Sequence, residues 1–592
     1  QRQMCIRDSN TTLRLNYDLS SLLTKGLSVH GSIAYDSYYY SRKKYSKTFP
    51  YYLARRDAED PDYIYLIPQS EESIWSVSTG WDKNRKVYME FGIDYNRTFG
   101  LHKTTALILY NQSKYYSPSL QYYVPNAYQG LVGRLTYEYA SRYLAEFNMG
   151  YNGTENFAKG KRFGFFPAVS LGWVISEEKF FPKNNIVKYL KVRGSYGEVG
   201  NDQIGGDRFL YLPSSYGAAS DSGVNKYNFG LASNPYTSLM IVENKIGNPD
   251  LTWEKAKKMN VGVDINLFNN CLTASFDIFK EKRNNILANR STSPMIIGAN
   301  LPAYNFGEME NRGWEMDLNF RHHIQDFHYW ARFNYSFARN EIIYMDEVQK
   351  RYDYQMTTGR RKNQFFGLIF DGYYNSWEEI NALDRPKSSW SGNQLQPGDV
   401  KYVDVNRDGV IDDYDMVPIG YTPVPEIIYG FSFGAQYKGF DFSILFQGAD
   451  NVSIKYFGRS MWPFAKGEES AKSLIKERWT QERYEAGEKI TFPRLSLNPN
   501  GETDHNYRPS TLWIRDASYL RLKNLEVGYT FTGGFVKRLN LNSVRLYFNG
   551  SNLFTWTDVV DLDPEAPSRS GNVEINTYPL QKVYNIGLNI NF

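Results

Sequence analysis

The sequence predicts an all-β chain folded as a transmembrane antiparallel β-barrel of about 17 strands with long outer loops. Three observations predict it. Apolar residues recur at every second position over short runs, the period of a strand with one apolar face. The joints between these runs alternate between tight turns and connections of tens of residues. The composition is rich in rings: Tyr, Phe and Trp make up 16% of 592 residues, whereas all hydrophobics, Tyr included, reach only 42%. No run approaches the roughly 18 consecutive apolar residues of a membrane helix. That test does not reach barrel strands, in which only alternate residues meet lipid. With 22% charged residues and a net charge of +4, no nucleic acid or other polyanion is implied as a partner.

The chain opens on Gln1-Arg2-Gln3-Met4, which is no hydrophobic signal region. Residues 1–9 match nothing that follows and are read as a lead-in foreign to the mature protein, leaving 10–592 for the barrel. Cys5 and Cys271 lie too far apart for a metal-type spacing and are too few for a disulfide framework. Strand-like segments then fall at 12–18, 27–38, 86–97, 103–112, 129–139, 142–152, 166–176 and 188–196. They continue at 257–267, 271–281, 312–320, 328–338, 427–437, 441–449, 519–531, 543–552 and 583–592. The last is typical: Tyr584, Ile586, Leu588, Ile590 and Phe592 alternate with Asn585, Gly587, Asn589 and Asn591.

A soluble sandwich would alternate in the same way, with turns every 8–12 residues or so at both ends. Here Ala140-Ser141, Phe268-Asn269-Asn270 and Gly439-Phe440 read as tight hairpins, whereas 39–85, 197–256, 339–426 and 450–518 are long connections. Short turns on one rim and long loops on the other suit a barrel in the outer membrane, turns in the periplasm and loops outside. Tyr139, Tyr143, Tyr151 and Trp173 near strand ends suit the interfacial girdles. An odd strand count, with the last strand descending to the periplasm, makes the first descend too. At least one rising strand is therefore expected upstream.

Several stretches together resemble the SusC/RagA-type TonB-dependent outer-membrane transporters of Bacteroidota. They are Phe166-Pro167-Ala168-Val169-Ser170-Leu171-Gly172-Trp173, Gly194-Ser195-Tyr196-Gly197 with Gly200-Asn201-Asp202, and Asn248-Pro249-Asp250-Leu251-Thr252-Trp253-Glu254. Met309-Glu310-Asn311-Arg312-Gly313-Trp314-Glu315, Tyr519-Leu520-Arg521-Leu522-Lys523-Asn524-Leu525, Asn549-Gly550-Ser551-Asn552-Leu553-Phe554 and the closing Gly587-Leu588-Asn589-Ile590-Asn591-Phe592 complete the set. The resemblance implies a barrel of about 22 strands around an N-terminal plug, capped by a SusD-like lipoprotein. It also implies import of glycans or peptides driven by the TonB complex through the plug. The chain departs from that pattern in having no plug domain, no TonB box and about five strands too few. It is expected to be the C-terminal part of such a barrel.

The sharpest local motif lies in the 339–426 connection: Asp404, Asn406, Asp408, Val410, Asp412 and Asp415 occupy the ligand positions of a calcium loop, with Gly409 at its turn. Its flanks are not helical, so it reads either as an isolated loop ordered by a structural Ca2+ or as an Asx-rich turn of similar shape. No other cofactor is called for. His322, His323 and His328 cluster at a periplasmic turn, but adjacent residues on a strand point to opposite faces, which disfavours a shared metal. Rings crowd the outer loops, as at Tyr38-Tyr39-Tyr40, Tyr51-Tyr52, Tyr115-Tyr116, Tyr373-Tyr374, Trp390 and Trp462; loop-against-loop packing or interfacial anchoring explains them more simply than substrate stacking. No nucleophile elbow, phosphate loop or zinc-protease motif occurs, so no catalytic residue is assigned. The expected function is nutrient import across the outer membrane. A passive pore or surface adhesin on the same barrel is the alternative, and a soluble glycan-binding β protein is more remote.

Overall fold

A computed structural model describes the chain except residues 1, 58, 61, 121–122, 203–207, 214–216, 219–225, 232–235, 240, 243–245, 293–300, 391–394, 457–460, 465–472, 497–504, 560–561, 566–571 and 574–579. One sheet of 17 strands dominates it. The first six are β1 (Arg2–Asp18), β2 (Leu27–Ser46), β3 (Ser76–Phe99), β4 (His102–Tyr116), β5 (Asn126–Tyr139) and β6 (Tyr143–Thr154). Next come β7 (Phe163–Val174), β8 (Val187–Asn201), β9 (Glu254–Leu267), β10 (Leu272–Ala288), β11 (Tyr304–Ile324) and β12 (Phe327–Tyr344). The last five are β13 (Ile427–Tyr437), β14 (Phe440–Asp450), β15 (Tyr519–Phe531), β16 (Ser543–Thr557) and β17 (Val583–Asn591). Each pairs antiparallel with the next in sequence, an up-and-down meander. Among the described residues no ladder joins β1 to β17.

Each segment expected from the alternation overlaps one of these strands. Their outer ends run further than expected. Pairing of β2 with β3 continues from Ser37↔Arg85 to Ser46↔Ser76, which shortens the connection expected at 39–85 to 47–75. β1 likewise includes residues 2–9, paired as far as Arg2↔Lys44. β3, β11 and β2 have 24, 21 and 20 residues, whereas about 9–11 suffice to cross a bilayer. Because the inner turns are short, the excess stands above the outer surface as a tall wall.

The turns follow from backbone geometry. Ala140 and Ser141 have φ of 50° and 58°, and Phe268, Asn269 and Asn270 have 52°, 56° and 66°. Positive φ matches the twist of the flanking strands in tight hairpins. The third hairpin turns on Lys438-Gly439, not Gly439-Phe440: Tyr437 pairs with Phe440, and Gly439 takes φ 94° without steric cost.

The greasy faces are exposed. Ile586 is 81% and Leu588 58% accessible, and Val261, Ile278, Leu171 and Phe431 are exposed too. A sandwich would bury them between sheets; a barrel in a bilayer turns them to lipid. The main buried apolar core lies instead among the outer loops. Leu368, Val400, Tyr402, Ile454, Trp513 and Val559 belong to one cluster fed by connections 345–426, 451–518 and 558–582. Short ladders stitch these loops together, Ser453–Tyr456 pairing antiparallel with Ile514–Asp516 and parallel with Asn572–Val573. The long 558–582 connection was not singled out from the sequence, yet it is the third component of this cap.

Candidate functional site

The functional surface has two parts, the inward wall and the cap above it. On the wall, Arg193 of β8 is a hub. Its Nη1 and Nη2 donate to both carboxylate oxygens of Asp277 at 2.7 Å, and its Nε donates to Asp264 at 3.0 Å. Ser275 Oγ donates to Asp264 at 2.9 Å. Gly262 is paired with Arg193 on one side and Asp277 on the other. A Cβ there would sit 2.6 Å from Asp277 Oδ1 and 2.7 Å from Arg193 Cζ, so glycine leaves the space in which the pair meets. Gly528 repeats this arrangement beside Arg545 and Asp441, where Arg545 also donates to Glu526 at 2.6 Å. These groups share the parity opposite to the exposed apolar residues, giving a charged, hydrated inner surface.

At the rim, buried ion pairs tie the cap to the strands. Arg521 of β15 is 2% exposed. It donates to Asp563 at 2.7 Å, to Thr555 at 2.9 Å and to Glu565. A β-bulge between Leu522 and Asn524 shifts the phase of β15. Without it Arg521 would share the lipid-side parity of Val527. Burial pushes the Asp563 carboxyl up. Hydrogen bonds from the Glu565 backbone, Arg521 and the Leu580 backbone outweigh it and hold the group below the usual range. Glu426, immediately before β13 at its outer end, takes bonds from Arg339 at 2.8 and 3.0 Å and from Arg361. There too burial raises the carboxyl, but the two arginines bring it below its ordinary value. Inside the cap Asp399 accepts from Asn506 Nδ2 at 2.8 Å, and Asn506 Oδ1 accepts from Val400 N–H at 2.9 Å.

The sequence motif at 404–415 folds as one loop. Asp404 accepts from the N–H of Arg407 and Gly409 at 2.7 and 2.8 Å, and Asp408 from that of Val410 at 2.9 Å. Asn406 accepts from Asp408 N–H at 2.9 Å, and Asp412 from Tyr414 N–H at 2.7 Å. Asp415, fully buried, accepts from Val405 and Asp412 N–H at 2.8 and 2.9 Å. Burial raises the Asp415 carboxyl, with the Asp404 charge adding to it, and this outweighs its backbone hydrogen bonds. The carboxylates are thus turned onto backbone donors, and among the described residues no three acidic, His or Cys groups converge as a metal site. Gly409 takes φ 81°, as the turn requires.

His323 and His328 pair across the β11–β12 hairpin with rings 5.5 Å apart, whereas His322 contacts Tyr329 and lies 3.4 Å from Cys271 Sγ. Of the rings noted in the loops, Tyr373, Tyr374 and Trp462 are buried in the cap, and Trp390 packs against its core with Arg508 over its face. Tyr51 and Tyr52 are exposed. At the inner rim, Tyr143 and Trp173 both donate to Glu178, at 2.6 and 3.1 Å. The sequence alone gives Arg193 no motif and Arg521 no role beyond its place in the 519–525 stretch. Their signal was an arginine at inward parity opposite a glycine or beside a bulge, and the bulge hides that parity.

The family model "TonB dependent receptor-like, beta-barrel" matches residues 5–553. The chain is 28% identical over 479 residues to TonB-dependent receptor P3 of Formosa agariphila, covering 78% of this chain and 45% of that protein. To TonB-dependent receptor SusC of Bacteroides thetaiotaomicron it is 28% identical over 477 residues, 80% of this chain and 44% of the other. It spans about half the length of the curated relatives it matches. The structure of the RagAB peptide transporter superposes with a TM-score of 0.72 at 21% identity, over 100% of this chain and 62% of that one, a likeness of fold. The strand pattern, the outward apolar faces and these matches agree: the chain belongs to the TonB-dependent receptor-like β-barrel family of the outer membrane, with SusC among its relatives and the RagAB transporter sharing its fold.

Proposed function

We propose that this chain supplies the wall and outer cap of a TonB-dependent importer of oligomeric nutrients, glycans or peptides. A SusD-like surface lipoprotein would sit over the cap, and the TonB complex would act through a plug held against the wall. The observation that supports this reading is the union of a charged inner wall with three long loops folded into one body above it. Arg193, Asp264, Asp277, Arg545 and Asp441 keep the wall wet and offer paired charges to a plug. Arg521 and Glu426 fix the cap on the rim where a lid would rest. No residue is assigned to catalysis. Uptake of labelled oligosaccharide and of labelled peptide by cells with and without the gene tests the proposal, with a protonophore as the second arm. Gene-dependent uptake of one class that stops with the protonophore is expected. Gene-dependent uptake that persists after the proton gradient collapses would fit the passive pore instead and overturn energised import.

A structural Ca2+ at 404–415 belongs to the same proposal. Asp404, Asn406, Asp408, Asp412, Asp415 and the Val410 carbonyl would hold it once the carboxylates turned from the backbone N–H groups they accept from, relieving the crowding of Asp404 and Asp415 and stiffening the outer loop. Addition of Ca2+ is expected to raise the melting temperature of the cap and chelation to reverse it, with Asp412→Ala abolishing the shift. A melting temperature indifferent to Ca2+ would identify the loop as a turn held by its own hydrogen bonds.

A further inference from the structure

The outward face of β2, β3 and β4 changes character at one level. On β3 the outward residues Phe91, Met89 and Val87 give way toward the outer side to Arg85 and Lys83, and Val87 stands opposite Lys114 of β4. Arg85 lies 4.5 Å from the Tyr116 ring centre, and Lys83 5.5 Å from that of Trp81. The acids of the same stretch, Asp36, Asp82 and Glu90, all take the inward parity. Among the described residues, Lys83, Arg85 and Lys114 make no ion pair with a carboxylate. Three exposed cations therefore stand together just above the apolar band.

Below them, on the same face, opens a groove of about 300 Å³ lined by Leu13, Leu15, Ile33, Met89, Phe91 and Tyr110. Gly31 makes the hollow. It lies in register between Leu15 and Phe91, and a Cβ there would meet nothing closer than Glu90 O at 3.9 Å. A second groove of about 470 Å³ shares Met89 and Gln112 with the first and continues upward past Ala127 to Lys114 and Tyr116. The acid that borders it, Glu155, is held by Arg208 at 2.6 Å. An apolar trough that runs up to a polar groove edged by Lys114 and Arg162, with Arg85 and Lys83 on the neighbouring strand above it at the level where headgroups begin, has the shape and charge order of a lipid and not of a soluble anion.

We propose that this face holds one net-anionic, phosphate-bearing lipid of the outer leaflet, an acyl chain in the lower groove and its phosphate on Lys83, Arg85 and Lys114, with no choline-like cation to oppose them. Arg85 offers a fork of donors to phosphate oxygens, and the two lysines offer point charges. A lipid held there would fix the depth of this panel of the wall in the membrane. The reading concerns the lipid side of the barrel and is independent of what the lumen carries.

The test uses the full-length protein purified from outer membranes in a neutral detergent, by native mass spectrometry and thermal melting. The probes are phosphatidylglycerol, phosphatidylcholine and inorganic phosphate. Wild-type protein is expected to retain one phosphatidylglycerol in preference to phosphatidylcholine and to melt at higher temperature with it, while inorganic phosphate gives no shift. The K83Q/R85Q/K114Q variant and, separately, Gly31→Leu, which fills the lower groove, are expected to lose that adduct and that shift. Both should keep wild-type heat-modifiable gel mobility, which reports the folded barrel. Equal retention of the two lipids, a full shift with inorganic phosphate, or an undiminished adduct in either variant would overturn the proposal.

Discussion

At the scale of single residues, stability at the rim rests on a few buried charges. Arg521 is nearly inaccessible and holds Asp563 in a loop far along the chain. Arg521→Met would leave Asp563 buried without its partner, at a cost of about 3–5 kcal/mol. We expect the variant to melt lower and to be cut by protease within 558–582, and wild-type resistance there would show that Arg521 does not hold this loop. The carboxyls of Asp563 and Glu426 are both held below their ordinary values of 3.8 and 4.5. Through these two groups the folded cap binds fewer protons than the unfolded chain as pH falls through that range, while the raised Asp415 carboxyl acts in the opposite sense. The stabilisation is present above the ordinary values and is lost as pH drops through the lowered ones. Acidification should loosen the cap before the barrel, seen as protease sensitivity of the outer loops at a pH where heat-modifiable mobility is still wild-type. Simultaneous loss of both would contradict this order.

At the scale of elements, the strands were legible and their ends were not. Period-two alternation located each of the 17 because a lipid-facing strand must place an apolar side chain at every second position. It failed at the outer ends of β2 and β3, where both faces of the ribbon are wet and Lys43, Lys44, Lys83 and Arg85 break the pattern while the ladder continues. It failed again at Arg521, whose facing is set by a bulge that composition does not reveal. The 404–415 motif was visible because its residues are local in sequence; the core of the cap was not, because its members are scattered over three connections from Leu368 to Val559. The facing of β17 gives a direct check. Leu588→Arg or Ile590→Arg should cost about 2–4 kcal/mol near the midplane and reduce the folded barrel in membranes. Wild-type amounts of both variants would reverse the assigned face.

At the scale of the whole molecule, the cap behaves as a domain assembled from three connections. Trp513 is 3% exposed and packs against Phe492 and Tyr507. Truncating it to alanine should cost about 3–5 kcal/mol, and hydrogen exchange should then quicken together in 345–426, 451–518 and around Val559. Quickening confined to the neighbours of Trp513 would mean that the loops fold separately. That shared interior also restricts how such receptors diversify. A recombination event that imports one foreign loop brings a third of a jigsaw whose other pieces are cut to a different outline. New surfaces should therefore arise by exchanging all three segments at once, or by changing tips that the common interior does not touch.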